Sequence, residues 1–183
     1  NDTTVQLHPT LPYKEHGNYT IFIEGVQSIH KQAVIPYTQS FTFTPVPKAT
    51  WIWNAYNLQE ADAQFLIDEG VTKVYVQVES ELPHEAYVPF FNTLQQHDIA
   101  IYALEGFAGL QFQDKQKTTR FLNWVTAYQQ QYNHFSGIHL DVEPYTDSSW
   151  QINEQPLLEQ YFAYIEQMQH ASKKLGLYFE IDI

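Results

Sequence analysis

The chain contains no cysteine, which excludes disulfide bonds, thiolate metal sites and a cysteine nucleophile. Basic residues are scarce, because nine Lys and Arg stand against 21 Asp and Glu, for a formal net charge of −12. No cluster of Lys and Arg occurs along the sequence, which argues against nucleic acid or an anionic membrane as a partner. Long apolar runs are also missing, so no insertion into a membrane is predicted.

The composition that is present is typical of a folded protein. Hydrophobic residues make up 44% of the chain and aromatic residues 16%, which excludes a disordered chain. High Gln and Tyr content with little Lys and Arg favours an extracytoplasmic origin, and we predict a secreted or cell-surface protein.

The pattern of polar and apolar residues changes near residue 48 of the 183-residue chain. Residues 18–24 and 39–44 alternate polar with apolar side chains, and this period of two indicates half-buried strands of an antiparallel sheet. A connector containing prolines follows. We therefore divide the chain into a short antiparallel β segment at residues 1–48 and a second region at residues 49–183.

The second region alternates strands with amphipathic helices. Strands are predicted at residues 50–55, 71–79, 99–105, 135–145 and 177–183, of which the second is rich in Val and Tyr. Amphipathic helices are predicted at residues 58–69, 85–97, 115–132 and 154–175. For the first helix, Asn57 and Glu60 have the spacing of a capping box.

This alternation predicts an α/β fold built from parallel βαβ units. A (β/α)8 TIM-type barrel needs roughly 250 residues. The sequence therefore predicts the first five units of such a barrel, truncated after strand five. The alternative is a doubly wound open sheet, which the absence of a Gly-rich phosphate loop after the first strand disfavours. Two open barrel edges predict pairing of two copies into a homodimer.

Residues 135–145 hold the most informative motif. His139, Asp141 and Glu143 occupy alternate positions, so their side chains point to one side at the carboxyl end of a buried strand. The Cα atoms of the two acids are expected roughly 6–7 Å apart, which should raise one pKa. We assign Glu143 as the general acid and Asp141 as the group that orients it. The alternatives are a structural hydrogen-bond network and a satisfied core histidine.

Other strand ends carry further acidic and aromatic residues. In a β/α barrel the working residues lie where the strands end, and pockets of carboxylates and aromatic rings are typical of sugar-handling sites. The predicted substrate-binding residues are Trp53, Glu79, Glu105, His139, Tyr145, Trp150, Glu180 and Asp182. For Glu105, a structural cap of the next turn stays open as the alternative. We expect one of Trp51 and Trp53 to face the barrel interior and the other to pack under the helices.

A metal site is a further alternative for the motif. His139, Asp141 and Glu143 spread over more than about 10 Å along one strand, which is too far for three ligands of one ion. A site that combines two of the three with ligands from elsewhere in the chain stays open as the alternative. We predict no metal and no cofactor.

The motif at residues 136–145 resembles the strand-four signature of family-18 glycoside hydrolases, the chitinase-like (β/α)8 barrels. The resemblance places Glu143 on the catalytic acid and Asp141 on the residue that assists the substrate's acetamido group. His139 and Ser136 replace aspartates of the family pattern. Residues 49–183 as a whole resemble uncharacterised glycoside-hydrolase-like barrels of Gram-positive bacteria, and residues 18–44 resemble the closing strands of a bacterial Ig-like domain.

These observations predict a bacterial glycoside hydrolase that cleaves a polysaccharide or cell-wall glycan by carboxylate general acid catalysis. The alternative is a non-catalytic glycan-binding or structural cell-surface module.

Overall fold

The computed structural model describes residues 17–28, 30–33, 35–42 and 47–182. Contacts divide the chain into two units, Asn1–Val46 and Pro47–Ile183, and each is described by itself. The predicted strand residues 43 and 44, the connector's Pro45 and the last predicted strand residue, Ile183, lie outside the described residues.

The first unit contains an antiparallel pair of strands, β1 (Asn18–Ile23) and β2 (Tyr37–Thr42). Their register aligns Asn18 with Thr42, so the hydroxyl groups of Thr20 and Ser40 lie 3.0 Å apart across the pair. The rings of Tyr19 and Phe41 stack at 5.7 Å between centroids. Cross-strand pairs of this kind are the contacts that hold two strands in register.

A five-stranded parallel sheet forms the second unit. Its strands are β3 (Ala49–Ile52), β4 (Lys73–Gln77), β5 (Ala100–Ala108), β6 (Phe135–Glu143) and β7 (Tyr178–Ile181). All four pairings are parallel, and the strands lie side by side in chain order. The predicted α/β fold with a parallel sheet is confirmed. A doubly wound sheet would reverse its strand order at a switch point, whereas sequential order belongs to barrel-type sheets.

Helices connect these strands. They are α1 (Glu60–Asp68), α2 (Val88–Gln96), α3 (Lys115–Tyr132) and α4 (Glu154–Lys174), with short 3-10 turns at His84–Ala86, Gln111–Gln113 and Pro144–Thr146. The bounds of α3 match the prediction. The predicted start of α1 is wrong. The capping box is formed by Gln59 and Asp62, whose Oδ2 accepts from the Gln59 N–H at 2.8 Å, and not by Asn57 and Glu60.

The sheet has two differently packed faces. On the face toward the helices, Val76, Ile101 and Leu140 belong to the large hydrophobic core. The opposite face carries a separate cluster of Tyr75, Tyr102 and Leu104. Because side chains alternate along a strand, neighbours in sequence belong to different faces.

The sheet is strongly curved toward this second face, which we call the concave face. Lys73 lies on β4 and Glu180 on β7, with β5 and β6 between them. Strands three places apart in a flat sheet are about 14 Å apart. The Lys73 Nζ nevertheless lies 2.6 Å from Glu180 Oε1. Curling of the sheet therefore brings inward-pointing side chains of β4 and β7 together.

Candidate functional site

The acidic residues predicted to share one hollow occupy two different faces of the sheet. Register pairs Gly106 with Asp141 and Glu105 with Leu140. Glu105 therefore points with Leu140 toward the helices, whereas Asp141 points to the concave face. The predicted place of Glu105 beside Asp141 and Glu143 is wrong, because the alternation along β5 turns its side chain outward.

Asp141 and Glu143 lie at the carboxyl end of β6. Burial raises the pKa of Asp141, and the charges of Asp182 and Glu143 raise it further. Glu143 accepts a hydrogen bond of 2.7 Å from the hydroxyl of Tyr145. These contacts tie the predicted acidic pair to Tyr145, which is 57% exposed, and to Asp182 on the chain after β7.

His139 lies deeper on the concave face and is buried. Its Nε2 is 3.1 Å from Asp182 Oδ2, and its Nδ1 is 3.8 Å from Glu180 Oε2. The ring of Tyr75 lies 4.0 Å from the imidazole, between centroids. His139 is thus one member of a network of charged and aromatic side chains inside the curve of the sheet.

Glu180 is the centre of that network. It accepts hydrogen bonds from Lys73 Nζ at 2.6 Å and from the Tyr75 hydroxyl at 2.9 Å. Burial raises the pKa of Glu180, but the hydrogen bonds from Lys73 and Tyr75 outweigh burial and hold the pKa below its ordinary value. The network therefore keeps Glu180 charged within the sheet.

Both tryptophans of the first strand region face the concave side. The Trp51 ring lies 5.1 Å from that of Tyr75. The indole of Trp53 covers Gly106, so closely that a Cβ at this position would lie 2.5 Å from Trp53 Cζ3. The expectation that Trp51 and Trp53 face opposite layers is wrong, because residues two apart on an extended chain point the same way.

Trp150 contributes to a different feature, a small apolar pocket of about 140 Å³ outside the end of β6. The pocket is lined by Val142, Pro144, Tyr145, Trp150, Leu158 and Tyr161. Tyr145 therefore contacts both the acidic pair and this apolar pocket.

A larger polar pocket of about 360 Å³ lies where β4 and β5 end. We call it the Glu105 pocket. It is lined by Gln77, Val78, Glu79, Ser80, Glu81, Glu105, Gln111, Asp114, Lys117, Arg120 and Phe121. The pocket thus joins two predicted site residues, Glu79 and Glu105, with the first turns of α3.

Glu105 has the most unusual environment of the residues that line this pocket. It is 3% exposed, and its Oε1 has no hydrogen-bond partner among the described residues. Burial raises the pKa of Glu105 to about 7, although the positive charge of Lys117 lowers it. The Lys117 Nζ lies 3.9 Å from Glu105 Oε1. A carboxyl group in this state exchanges protons near neutral pH.

Local contacts fix Lys117 beside Glu105. Its Nζ donates to Gln111 Oε1 at 2.8 Å and lies 4.0 Å from the centre of the Phe107 ring. The main chain at this point is anchored too, because Asp114 Oδ1 accepts hydrogen bonds from the N–H groups of Gln116 and Lys117. Gln111 and Phe107 of β5 therefore position the ammonium group, and the Asp114 cap positions the main chain of Lys117.

Glu79 supplies a second carboxylate to the pocket. Its main-chain N–H donates to the Tyr87 hydroxyl at 3.0 Å, and its Oε2 accepts from the Tyr56 hydroxyl at 3.4 Å. Burial raises the pKa of Glu79, and the charge of Glu81 raises it further.

The sequence analysis named two of the acidic residues that line this pocket, Glu79 and Glu105, and missed Glu81, Asp114 and both cations. Lys117 and Arg120 are one helical turn apart near the start of α3, a spacing that puts them on one face of a helix. That spacing, directly after the end of β5, was the sequence signal for two cations beside the pocket.

Among the described residues, no group of three or more His, Asp or Glu side chains has a geometry that would hold a metal ion. None of the helices described is long and apolar enough to cross a membrane.

Comparisons with known proteins give a distant structural similarity alone. No protein-family model matches the chain, and no curated protein matches it. A crystal structure titled "AP endonuclease, family 2 from Brucella melitensis" is similar at 10% identity and a TM-score of 0.43, over 74% of this chain and 55% of that one. A structure of 3-hexulose-6-phosphate synthase is similar at 14% identity and a TM-score of 0.37, over 69% and 59%.

The chain thus spans less than two thirds of the length of these solved chains. These findings overturn the predicted family. The expected membership of the chitinase-like family-18 glycoside hydrolases is wrong, because no family model matches and the similar structures carry other names. The Ig-like assignment of residues 18–44 fails with it. The predicted glycoside hydrolase activity and its glycan-binding or surface-module alternative are therefore not retained. A glycan partner, a homodimer and a secreted or cell-surface location stay predictions.

Proposed function

We propose that this chain carries an enzyme site for proton transfer at a carbon next to a carbonyl group of a small polar substrate. Glu105 is the base that takes and returns the proton, and Lys117 stabilises the negative charge that forms. The observation that supports the proposal is the buried Glu105 carboxyl in a polar pocket, where Oε1 has no hydrogen-bond partner among the described residues and the Lys117 ammonium group lies 3.9 Å from it.

The acid–base state of Glu105 suits this chemistry. A general base works best when its pKa lies near the working pH, because it must both accept and release the proton. With a pKa of about 7, Glu105 is present in both forms at neutral pH. Burial produces this value, as in other sites where one carboxyl group is placed away from water.

The cations beside Glu105 suit the charge that develops. When a base removes a proton from carbon, the C–H electron pair becomes a C=C bond and the carbonyl oxygen gains the negative charge. Lys117 and Arg120 line the same pocket as Glu105 and can hold that oxygen. For an α-hydroxy carbonyl compound, return of the proton to the former carbonyl carbon, together with transfer of the hydroxyl proton to the former carbonyl oxygen, completes an isomerisation in which no electrons are gained or lost.

Glu79 gives the pocket a place for a substrate hydroxyl group. Its carboxyl group lines the pocket with Glu105, and the Tyr56 hydroxyl holds one of its oxygens. A carboxylate accepts hydrogen bonds from hydroxyl groups. A short hydroxylated carbonyl compound therefore matches the volume of about 360 Å³ and the polar lining of the pocket.

The test is hydrogen exchange at carbon. Dihydroxyacetone and glyceraldehyde are incubated with the protein in D2O, and 1H NMR follows loss of the signals next to the carbonyl group. We expect catalysed exchange that falls by about 100-fold or more in Glu105→Gln, because general base catalysis contributes that much. Glu81→Gln is the control, since it removes an acidic side chain from the same pocket. Absence of catalysed exchange, or an unchanged rate in Glu105→Gln, would contradict the proposal.

A further inference from the structure

The apolar pocket outside the end of β6 has the size of a single aromatic ring. Its volume of about 140 Å³ is close to the roughly 150 Å³ of an apolar protein cavity that binds benzene. Tyr161 lines its buried side, and the Tyr161 hydroxyl already donates to the Val142 carbonyl at 3.0 Å. The pocket is therefore suited to an apolar ring.

The rim of this pocket carries negative charge. Tyr145 lines the pocket, and its hydroxyl donates to Glu143 Oε1 at 2.7 Å. Val142 points to the sheet face opposite Asp141 and Glu143, so the pocket and the carboxylates meet at the strand end, where Tyr145 contacts both. No Lys or Arg within the described part of the chain forms an ion pair with Asp141 or Glu143. A cation of a ligand can therefore pair with Glu143 without displacing a cation of the chain.

Hydrogen bonds fix the loop that carries Tyr145. The Thr146 hydroxyl donates to the Glu143 carbonyl at 2.7 Å, and the Gly109 N–H donates to that carbonyl and to Thr146 Oγ1 at 3.0 and 2.8 Å. Further along, the Trp150 N–H donates to the Asp147 carbonyl at 3.0 Å. The pocket and its rim are thus formed before a ligand arrives, which lowers the cost of binding.

We propose that this pocket binds a small primary amine that carries an aromatic ring, with the ring inside the pocket and the ammonium group on Glu143. A short carbon link between the two parts passes the edge of the Tyr145 ring, whose face also attracts a positive charge. The net charge of −12 favours a cation over an anion. The pocket shares no lining residue with the Glu105 pocket, so the inference goes beyond the proposed proton transfer and does not depend on it.

The test compares phenethylamine with 2-phenylethanol, a neutral compound of the same shape, in titrations of the 15N-labelled protein at pH 7. The chain has four tryptophans, and the indole N–H signal of Trp150 is identified by its loss in Trp150→Phe. We expect phenethylamine to shift this signal and to bind about tenfold more tightly than 2-phenylethanol, because a hydrogen bond to a charged group is stronger than one between neutral groups.

Two variants assign the charge. Glu143→Gln should weaken binding of phenethylamine about tenfold and leave binding of 2-phenylethanol unchanged. Glu79→Gln is the matched control, because it removes the same charge from the Glu105 pocket, and it should leave both affinities unchanged. The comparison of the two ligands on the wild-type protein needs no variant, so it decides the question even where a variant does not fold.

Three results would overturn the inference. Equal affinities for the amine and the alcohol would show that no carboxylate takes part. An equal loss of amine binding in Glu143→Gln and Glu79→Gln would assign the effect to net charge. An unchanged Trp150 signal would place any binding outside the pocket.

Discussion

Glu105 and Asp141 come from neighbouring strands one register step apart, and their side chains point to opposite faces of the parallel sheet. The chain therefore has two separate acidic sites at one end of the sheet. Asp141 belongs to the concave face with Glu143 and Asp182. Glu105 belongs to a pocket against α3, where Lys117 is the nearest cation.

The buried carboxyl of Glu105 makes stability depend on pH. Its folded-state pKa of about 7 exceeds the ordinary value of 4.5. Between these values the folded protein binds more protons than the unfolded chain, so stability falls as pH rises. Ionisation of Glu105 thus lowers the free energy of unfolding by about 3 kcal/mol at pH 8, because each unit of pKa shift corresponds to about 1.36 kcal/mol.

We expect the free energy of unfolding of Glu105→Gln to exceed that of the wild type by only about 1 kcal/mol at pH 5 and by about 3 kcal/mol at pH 8. Urea denaturation at both pH values measures the difference. Glu166→Gln, at an exposed position on α4, serves as control, and its effect on the free energy of unfolding should be the same at both pH values. Equal effects of Glu105→Gln at the two pH values would show that Glu105 does not ionise at a raised pKa.

Elements with a strong internal pattern were predictable from the sequence. Helix α3 has bounds of 115–132 in prediction and structure, because its apolar face repeats over several turns and Asp114 caps its start. The start of α1 was missed, because Asn57 and Gln59 precede the same short helix and only side-chain geometry selects between them.

The division of the site between two faces was harder to predict. The prediction of one shared site assumed that all acidic residues at the strand ends point to the same face. Side chains alternate along each strand, and this alternation points Glu105 away from Asp141. Lys117 reaches Glu105 through the rotation of α3 about its axis, which tertiary packing determines and local sequence does not.

Two glycines of the concave face should differ in their tolerance of a methyl group. A Cβ at Gly137 would overlap the buried ring of Tyr102, and one at Gly106 would meet the outer edge of Trp53, which is 51% exposed. We expect Gly137→Ala to lower the free energy of unfolding by about 1–3 kcal/mol, the usual cost of overpacking. Gly106→Ala should cost less, because the exposed indole can move.

Urea denaturation of both variants measures these costs. Tryptophan fluorescence is an independent check, because displacement of Trp53 changes its exposure to solvent. A Gly106→Ala variant that is less stable than Gly137→Ala would contradict the expectation that the Trp53 side chain can move away and the Tyr102 side chain cannot.

The ion pair of Lys73 and Glu180 should contribute to stability because it is partly shielded from water. The two groups are 2.6 Å apart, and Lys73 Nζ also lies 4.6 Å from the centre of the Tyr102 ring. We expect Lys73→Met to cost about 1–2 kcal/mol, between the values for exposed and buried pairs. Lys173→Met, at an exposed position near the end of α4, is the matched control. Equal unfolding free energies for both variants would contradict this role.

Lys117 should set the titration of Glu105 through its charge. The ammonium group lies 3.9 Å from Glu105 Oε1 and lowers the pKa that burial raises. In Lys117→Met the charged carboxylate of Glu105 loses the cation that stabilises it, so the pKa of Glu105 should rise above about 7. NMR titration of protein labelled with 13C at the Glu carboxyl groups measures the change, with the Glu105 signal identified by its loss in Glu105→Gln. Lys115→Met, an exposed substitution in the same turn of α3, is the control. A fall in the pKa of Glu105 in Lys117→Met would contradict the assigned direction, and an equal rise in both variants would assign the effect to net charge and not to the contact.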